Sequence, residues 1–345
     1  MEKDFVKKNN YYDTSKKRFL KFLIFGTIIL FSGLLLSLFI GNYNTSIKDV
    51  IYSIFQKNFN PQIRSIIIYI RLPRLCAALL VGAALSVTGV VYQEIFKNRM
   101  ASPDLLGVSS GAGVGASIAI LLGLGFTLVS IYSFIFGLMS VLLTLIVSKI
   151  FSKNDDSKTT LILSGIVMGG FMNSLLGFIK FISHDNQLAT ITYWLMGGLN
   201  NVTYKQLLIV SLPMIIIIII LYLLRWKILI MKNGELDATI QGVNYKRIKI
   251  IVIILSTIVT GISVSISGNI GWIGLVIPNF SRLLMKNNQK YVLGASILLG
   301  VIFTVFSDLL ARSLTYSEIP LSIITGLLGT IIFVIVLIIK KVTNE

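Results

Sequence analysis

A chain of 345 residues has room for two or three soluble domains, yet 55% hydrophobic and only 13% charged residues exclude that organisation, since soluble domains carry about 25% charged residues. A mean hydropathy of +0.86 agrees. The net charge of +17 would suggest a nucleic-acid partner in a soluble chain; in a membrane chain such basic residues mark the cytoplasmic loops, and no nucleic-acid partner is expected.

The first polar, basic stretch covers residues 1–18. The apolar run Phe19–Ile40 that follows is too long for a signal-peptide core and lacks a small-x-small cleavage site, so it reads as the first span. Further apolar segments fall at Leu75–Ile95, Leu105–Leu124, Phe126–Ile150, Leu161–Ile182 and Leu207–Leu224. Four more lie at Ile248–Ile266, Trp272–Met285, Tyr291–Leu310 and Ile319–Ile339. The pattern predicts an all-α polytopic membrane protein, one transmembrane domain over residues 1–345 with about ten transmembrane helices. With the N-terminus inside, 23 of the 31 basic residues fall on the cytoplasmic side and 8 outside, which predicts that both termini are cytoplasmic. Lys57, Arg71, Arg74 and Arg312 are among the outer set, and Lys153 among the inner.

Gly107, Gly111 and Gly115, and Gly165 with Gly169, recur at four-residue spacing and read as close helix packing. The eighth span is short and interrupted by Gly268, Gly271, Gly274 and Pro278, a pattern tolerated in a membrane where protein or a water-filled cavity covers the freed backbone. Asp308 and Arg312, four apart, are placed for a local ion pair. Gly107-Val108-Ser109-Ser110-Gly111 matches the spacing of a nucleophile elbow but opens a membrane helix instead of following a strand, and the single histidine, His184, is assigned to an outer loop. No catalytic residues are expected. The single cysteine, Cys76, excludes an intrachain disulfide and a cysteine metal cluster, and no phosphate-binding loop occurs.

The longest inner loop between spans runs from Arg225 to Lys249, with its coupling segment at residues 226–247. Leu236, Ile240 and Val243 share one face of a short amphipathic helix, Gly242 suits its C-cap, and Asn244 can cap the next helix. That face would either lie in the lipid interface or dock into a cytoplasmic motor.

A set of ordered motifs then carries a resemblance. Arg71-Leu72-Pro73-Arg74, Gly82-Ala83-Ala84-Leu85, Gly89, Asn98 and Ala101 with Pro103 and the stretch Leu105–Gly111 come first. Asp185-Asn186, Trp194–Gly197, Gly234-Glu235, Gly242-Val243, Gly268 to Arg282, Asp308–Arg312 and Glu318-Ile319-Pro320 follow. Together they resemble the FecCD family of ABC-importer permeases over roughly residues 66–341. Arg99 stands where the family commonly has proline, and Pro278-Asn279 where it has Pro-His.

The resemblance implies a multi-pass protein of the bacterial cell membrane. It also implies a second permease subunit, identical or paralogous, two cytoplasmic ABC ATPases and an extracytoplasmic substrate-binding protein. Gly234, Glu235, Leu236, Ala238, Ile240, Gly242 and Val243 match the ATPase-coupling helix, and Arg71, Arg74 and Arg312 the contacts to the binding protein. Ser164, Met168, Asn173 and Pro278 would border the translocation path, although Ser164, Met168 and Asn173 suit helical packing equally well. No cofactor or metal is expected on this chain; ATP and Mg belong to the partner ATPase. The expected cargo is an iron–siderophore chelate, with haem or cobalamin as alternatives. An ion-coupled secondary transporter is a further alternative, weakened by the lack of an acidic or histidine chain across the spans.

Overall fold

The computed structural model describes residues 2–41, 43, 45–55, 60–151, 157–232, 234–286 and 288–342. Lys57 and Lys153 therefore lie outside the described residues. All regular structure among these residues is helical. Helices α1 (Glu2–Phe39), α2 (Ile47–Phe55) and α3 (Pro61–Ser65) come first; α3 continues through a π-turn at Ile66–Arg71 into α4 (Leu72–Ile95). A 3₁₀ turn at Pro103–Leu106 leads to α5 (Val108–Leu121), α6 (Phe126–Phe151), α7 (Ser157–Ile182) and α8 (Asp185–Leu195). Next are α9 (Tyr204–Leu223), α10 (Arg225–Met231), α11 (Glu235–Ile240) and α12 (Tyr245–Ser267). The last three are α13 (Ile273–Leu284), α14 (Gln289–Ala311) and α15 (Leu321–Val342).

Eight of the described helices are long and apolar enough to cross a membrane, and α5 and α13 are shorter apolar helices. In order, these ten coincide with the ten expected spans. Two elements go beyond that expectation. The helix containing the second span begins as early as Pro61, and His184 starts α8 where a loop was expected.

Helix ends follow from local chemistry. Thr203 and Gln206 form a capping box on α9, and the Asn244 side chain accepts from the Arg247 N–H at 3.0 Å to open α12. At α2, the Asp49 carboxylate accepts from the Ser46 N–H and hydroxyl, both at 2.8 Å, which holds its pKa below the usual carboxylate range. At α13 the chain turns at Gly268 (φ 64°) and again at Trp272, a non-glycine residue with φ 72°. The break predicted for the eighth span is thus present at its start.

The interior is built around α4, α12 and α14, whose apolar stretches are 83%, 72% and 67% buried, against 17–28% for the peripheral spans. Small residues on α4 permit this centre. A Cβ on Gly82 would collide with the Gly300 backbone of α14, and one on Gly89 with the Gly274 backbone of α13. The expected packing role of Gly111, Gly115 and Gly165 holds as well: each abuts a carbonyl of a neighbouring segment. Gly169 lies beside Ser110 and the backbone of Gly107, in a looser contact.

Arg74 and Glu94 lie at opposite ends of α4, ~30 Å apart at 1.5 Å rise per residue, which matches a hydrocarbon core. The Arg74 end gathers α2, α8 and the segment between α14 and α15; it is called the cap end below. The other carries α10 and α11.

Candidate functional site

At the cap end the structure brings together all three sequence-predicted arginines, but not as free outward contacts. Arg71, Arg74 and Arg312 are only 5%, 5% and 4% exposed. The Arg71 guanidinium donates to Thr45 Oγ1 at 2.7 Å and to the carbonyls of Leu38, Phe39 and Tyr43. Arg74 donates to Asp308 at 2.6 Å and to both Glu318 oxygens at 2.8 Å. Arg312 pairs with Asp308 at 3.4 Å and donates to Ser37. The predicted Asp308–Arg312 pair is therefore real, and Asp308 is shared with Arg74. The reason for the burial is the helix running back through the π-turn to Pro61: it places Arg71 and Arg74 inside the bundle instead of in an outer loop. Glu318, which completes the cluster with a 36% exposed side chain, entered the sequence reading only as part of a family motif, with no role assigned to it. Beside it lies a recess of about 270 Å³ lined by Arg74, Trp194, Asn200, Asn201, Gln206 and Glu318. Leu314 and Tyr316 stand exposed between α14 and α15.

The opposite end presents apolar groups. Leu236 and Ile240 on α11 are 81% and 83% exposed, while Ala238 between them is fully buried against the bundle. Gly234 (φ 127°) precedes α11 and Gly242 (φ 74°) ends the turn after it, conformations that favour glycine. The expectation for Val243 needs correction. It is 8% exposed, because Gly242 turns the chain inward and the Val243 N–H donates to the Ala238 carbonyl at 2.8 Å. Glu235 makes only an exposed pair with Lys246 at 3.6 Å. Behind α11, Arg282 pairs with Glu94 at 2.8 Å and donates to Gln93, and Lys232 stands 3.7 Å from Glu94. Sequence reading missed this cluster, since Glu94 and Arg282 lie far apart along the chain.

The four expected path residues separate. Ser164, Met168 and Pro278 face inward; Ser164 donates to the Thr160 carbonyl at 2.8 Å, and Met168 packs with Val114, Met172 and Ile191. Only Asn173 is exposed, on the face of α7 that also shows Ile166, Gly170 and Phe171. Helical phase is the reason: Ser164, Met168 and Met172 form one stripe and Asn173 lies outside it. Among the described residues no group of three His, Cys, Asp or Glu could hold a metal ion.

Comparison with known proteins places this architecture. The molybdate import permease of Haemophilus influenzae is 34% identical over 319 residues, 90% of this chain and 94% of that protein. A probable iron chelatin transport permease of Helicobacter pylori is 36% identical over 268 residues, covering 78% and 81%. The vitamin B12 import permease of Escherichia coli O157:H7 is 32% identical over 321 residues, covering 91% and 94%. A solved inward-facing structure, titled as a putative metal-chelate-type ABC transporter, superposes with a TM-score of 0.82 at 32% identity, over 92% of this chain and 98% of that one. The model of the FecCD transport family matches residues 28–340. The bundle, its order of helices and this match agree: the chain belongs to the FecCD transport family, and is an ABC-importer permease of the bacterial cell membrane.

Proposed function

We propose that this permease carries an iron–siderophore chelate inward by alternating access, driven by ATP hydrolysis on a separate chain. In this reading two permease subunits, identical or paralogous, form the pore. Two ATPases that hold ATP and Mg grip α11 from the cytoplasm, and an extracytoplasmic binding protein delivers cargo to the cap end. Both chain termini are then cytoplasmic. The observation that carries the motor-driven part is α11 itself. It is anchored by buried Ala238 and Val243 while Leu236 and Ile240 project outward, the arrangement of apolar anchors that a partner pocket would fill. The docking contacts proposed are thus Leu236 and Ile240, with Gly234 and Gly242 shaping the helix and Glu235 at its rim.

For the cargo, support comes from the exposed face of α7, where Ile166, Gly170, Phe171 and Asn173 present no charge. Weak, adaptable contacts of this kind suit a bulky chelate that must be released. A second reading, an oxyanion such as molybdate, is favoured by the 34% identity to the molybdate permease over 90% of this chain. ATP-dependent uptake by the reconstituted complex, tested with ferric siderophores, haem, cobalamin and molybdate, separates these cargoes. Uptake that persists without the ATPase and follows an ion gradient would overturn the motor-driven reading.

A further inference from the structure

The chain between α4 and α5 does not stay at the α11 end. Pro103 packs against Gly274, which itself lies beside Leu85 in the middle third of α4 and Gly89 one turn further on. Asp104 follows immediately, so its carboxylate sits near mid-depth of the bundle. It is exposed. Its side chain accepts from the Ser109 hydroxyl, and no cation forms an ion pair with it among the described residues. Among the carboxylates packed within the bundle or its end clusters, Glu94, Asp308 and Glu318 pair with Arg or Lys. Asp49, Asp185 and Asp237 have no ion pair among the described residues either, but they lie on the short helices at the bundle ends, whereas Asp104 lies between those ends.

An exposed carboxylate at that depth faces lipid, water or the second permease subunit, and a subunit surface would have to bring it a counter-charge. Facing lipid costs about 2.5–3.5 kcal/mol even on the most lenient scale, and intramembrane acids mark substrate paths. The flanking features agree with the water-lined alternative. Leu105 abuts Gly165 of α7, the helix whose other face carries exposed Asn173. A water-sized recess of about 10 Å³ joins Asp104 and Ser102 to Trp272. Trp272 is 38% exposed and held at φ 72°, a backbone conformation that a bulky residue adopts at a cost and that clusters at functional sites. The recess is too small for a chelate, so these residues form part of a wall.

The geometry points to Asp104 as a specificity-determining residue of the translocation path: its uncompensated negative charge, beside the Trp272 ring, favours cationic or neutral metal chelates and disfavours anionic cargo. A carboxylate attracts a cationic chelate and repels an oxyanion, and an indole face adds attraction for a cation. The inference rests on the importer reading above and narrows its cargo to chelates of the ferric tris-hydroxamate type, against both anionic tris-catecholates and molybdate.

The test measures the path's charge preference without relying on cargo delivery. In a Cys76→Ser background, Ser102→Cys places a thiol on the wall beside Asp104. The full complex in lipid vesicles is then treated with membrane-impermeant cationic and anionic methanethiosulfonates. Labelling rates are normalised to a free thiol. The expected result is labelling by both reagents with a cationic preference that falls about tenfold in Asp104→Asn and is retained in Asp104→Glu. Asn keeps an acceptor for Ser109, so the substitution removes the charge and leaves the cap. No labelling by either reagent places the residue off the water path and overturns the inference; labelling with an unchanged ratio in Asp104→Asn overturns it as well. Uptake of a cationic ferric tris-hydroxamate and of molybdate is measured on the same vesicles. If the wild-type complex shows no ATP-driven uptake while the labelling ratio behaves as expected, the importer reading fails and the charged wall stands.

Discussion

The two ends of the bundle use charge and apolar surface in opposite ways. At the cap end five ionisable side chains, Arg71, Arg74, Asp308, Arg312 and Glu318, are drawn together and largely hidden. At the α11 end Glu94 and Arg282 are likewise hidden, but the outermost element turns two large aliphatic side chains to the outside. Buried ion pairs hold segments in register and are intolerant of losing one member. Exposed aliphatics contribute nothing to the isolated chain and become valuable only when a partner covers them. The charged cluster of the cap end is therefore built to stay closed on itself, while α11 has the form of a surface that the proposed motor would complete.

The largest expected effect breaks the cap. Asp308→Ala leaves Arg312 and part of Arg74 buried without a counter-charge and should cost about 3–5 kcal/mol, read as a lowered melting temperature of the detergent-solubilised permease. Charge reversal at Arg74 should do the same, so loss of binding-protein capture in such a variant reports folding before docking; a variant that melts like the wild type would return these arginines to the role of surface contacts. At the other end, Leu236→Asp with Ile240→Asp should leave the melting temperature unchanged while weakening ATPase association by about 2 kcal/mol per residue. Unaltered co-purification and uptake would dissociate α11 from the motor. Gly89→Ala sharpens the contrast from the centre: its methyl meets the Gly274 backbone, with an expected loss of about 1–3 kcal/mol and no direct effect on either end. The smallest effect should come from Lys246→Ala, which removes an exposed pair with Glu235 worth about 0–1 kcal/mol; a larger loss on ATPase binding than on stability would move Lys246 into the docking surface.

What could be read from sequence was what is encoded within a few residues. Hydropathy located ten apolar helices in order, Asn244 and Gly242 marked their cap and turn, and the four-residue spacing of Asp308 and Arg312 gave a true pair. The failures share a cause. Whether Arg74 points outward or into the bundle depends on Asp308 and Glu318, more than two hundred positions away. Val243 follows the helical phase of Leu236 and Ile240 in sequence, yet the left-handed turn at Gly242 removes it from their face. Ser164 and Met168 take the packing alternative left open in the sequence, because α5 covers their stripe of α7. Asp104 carried no signal, since its depth is set by Pro103 folding back onto Gly274.

The glycine contacts along α4 have a mechanical consequence. Gly82 against Gly300 and Gly89 against Gly274 join three helices main chain to main chain, with only the short Ser86 and Thr304 side chains and the rigid Pro103 ring beside them to take up a displacement. Neither α13 nor α14 can slide or roll on α4 without forcing backbone atoms into one another. These helices must travel as a single stiff block. The strokes of a transport cycle then have to be made by how whole blocks rock against each other and by the looser outer helices, and in the proposed reading α10 and α11 would be the crank rather than the hinge.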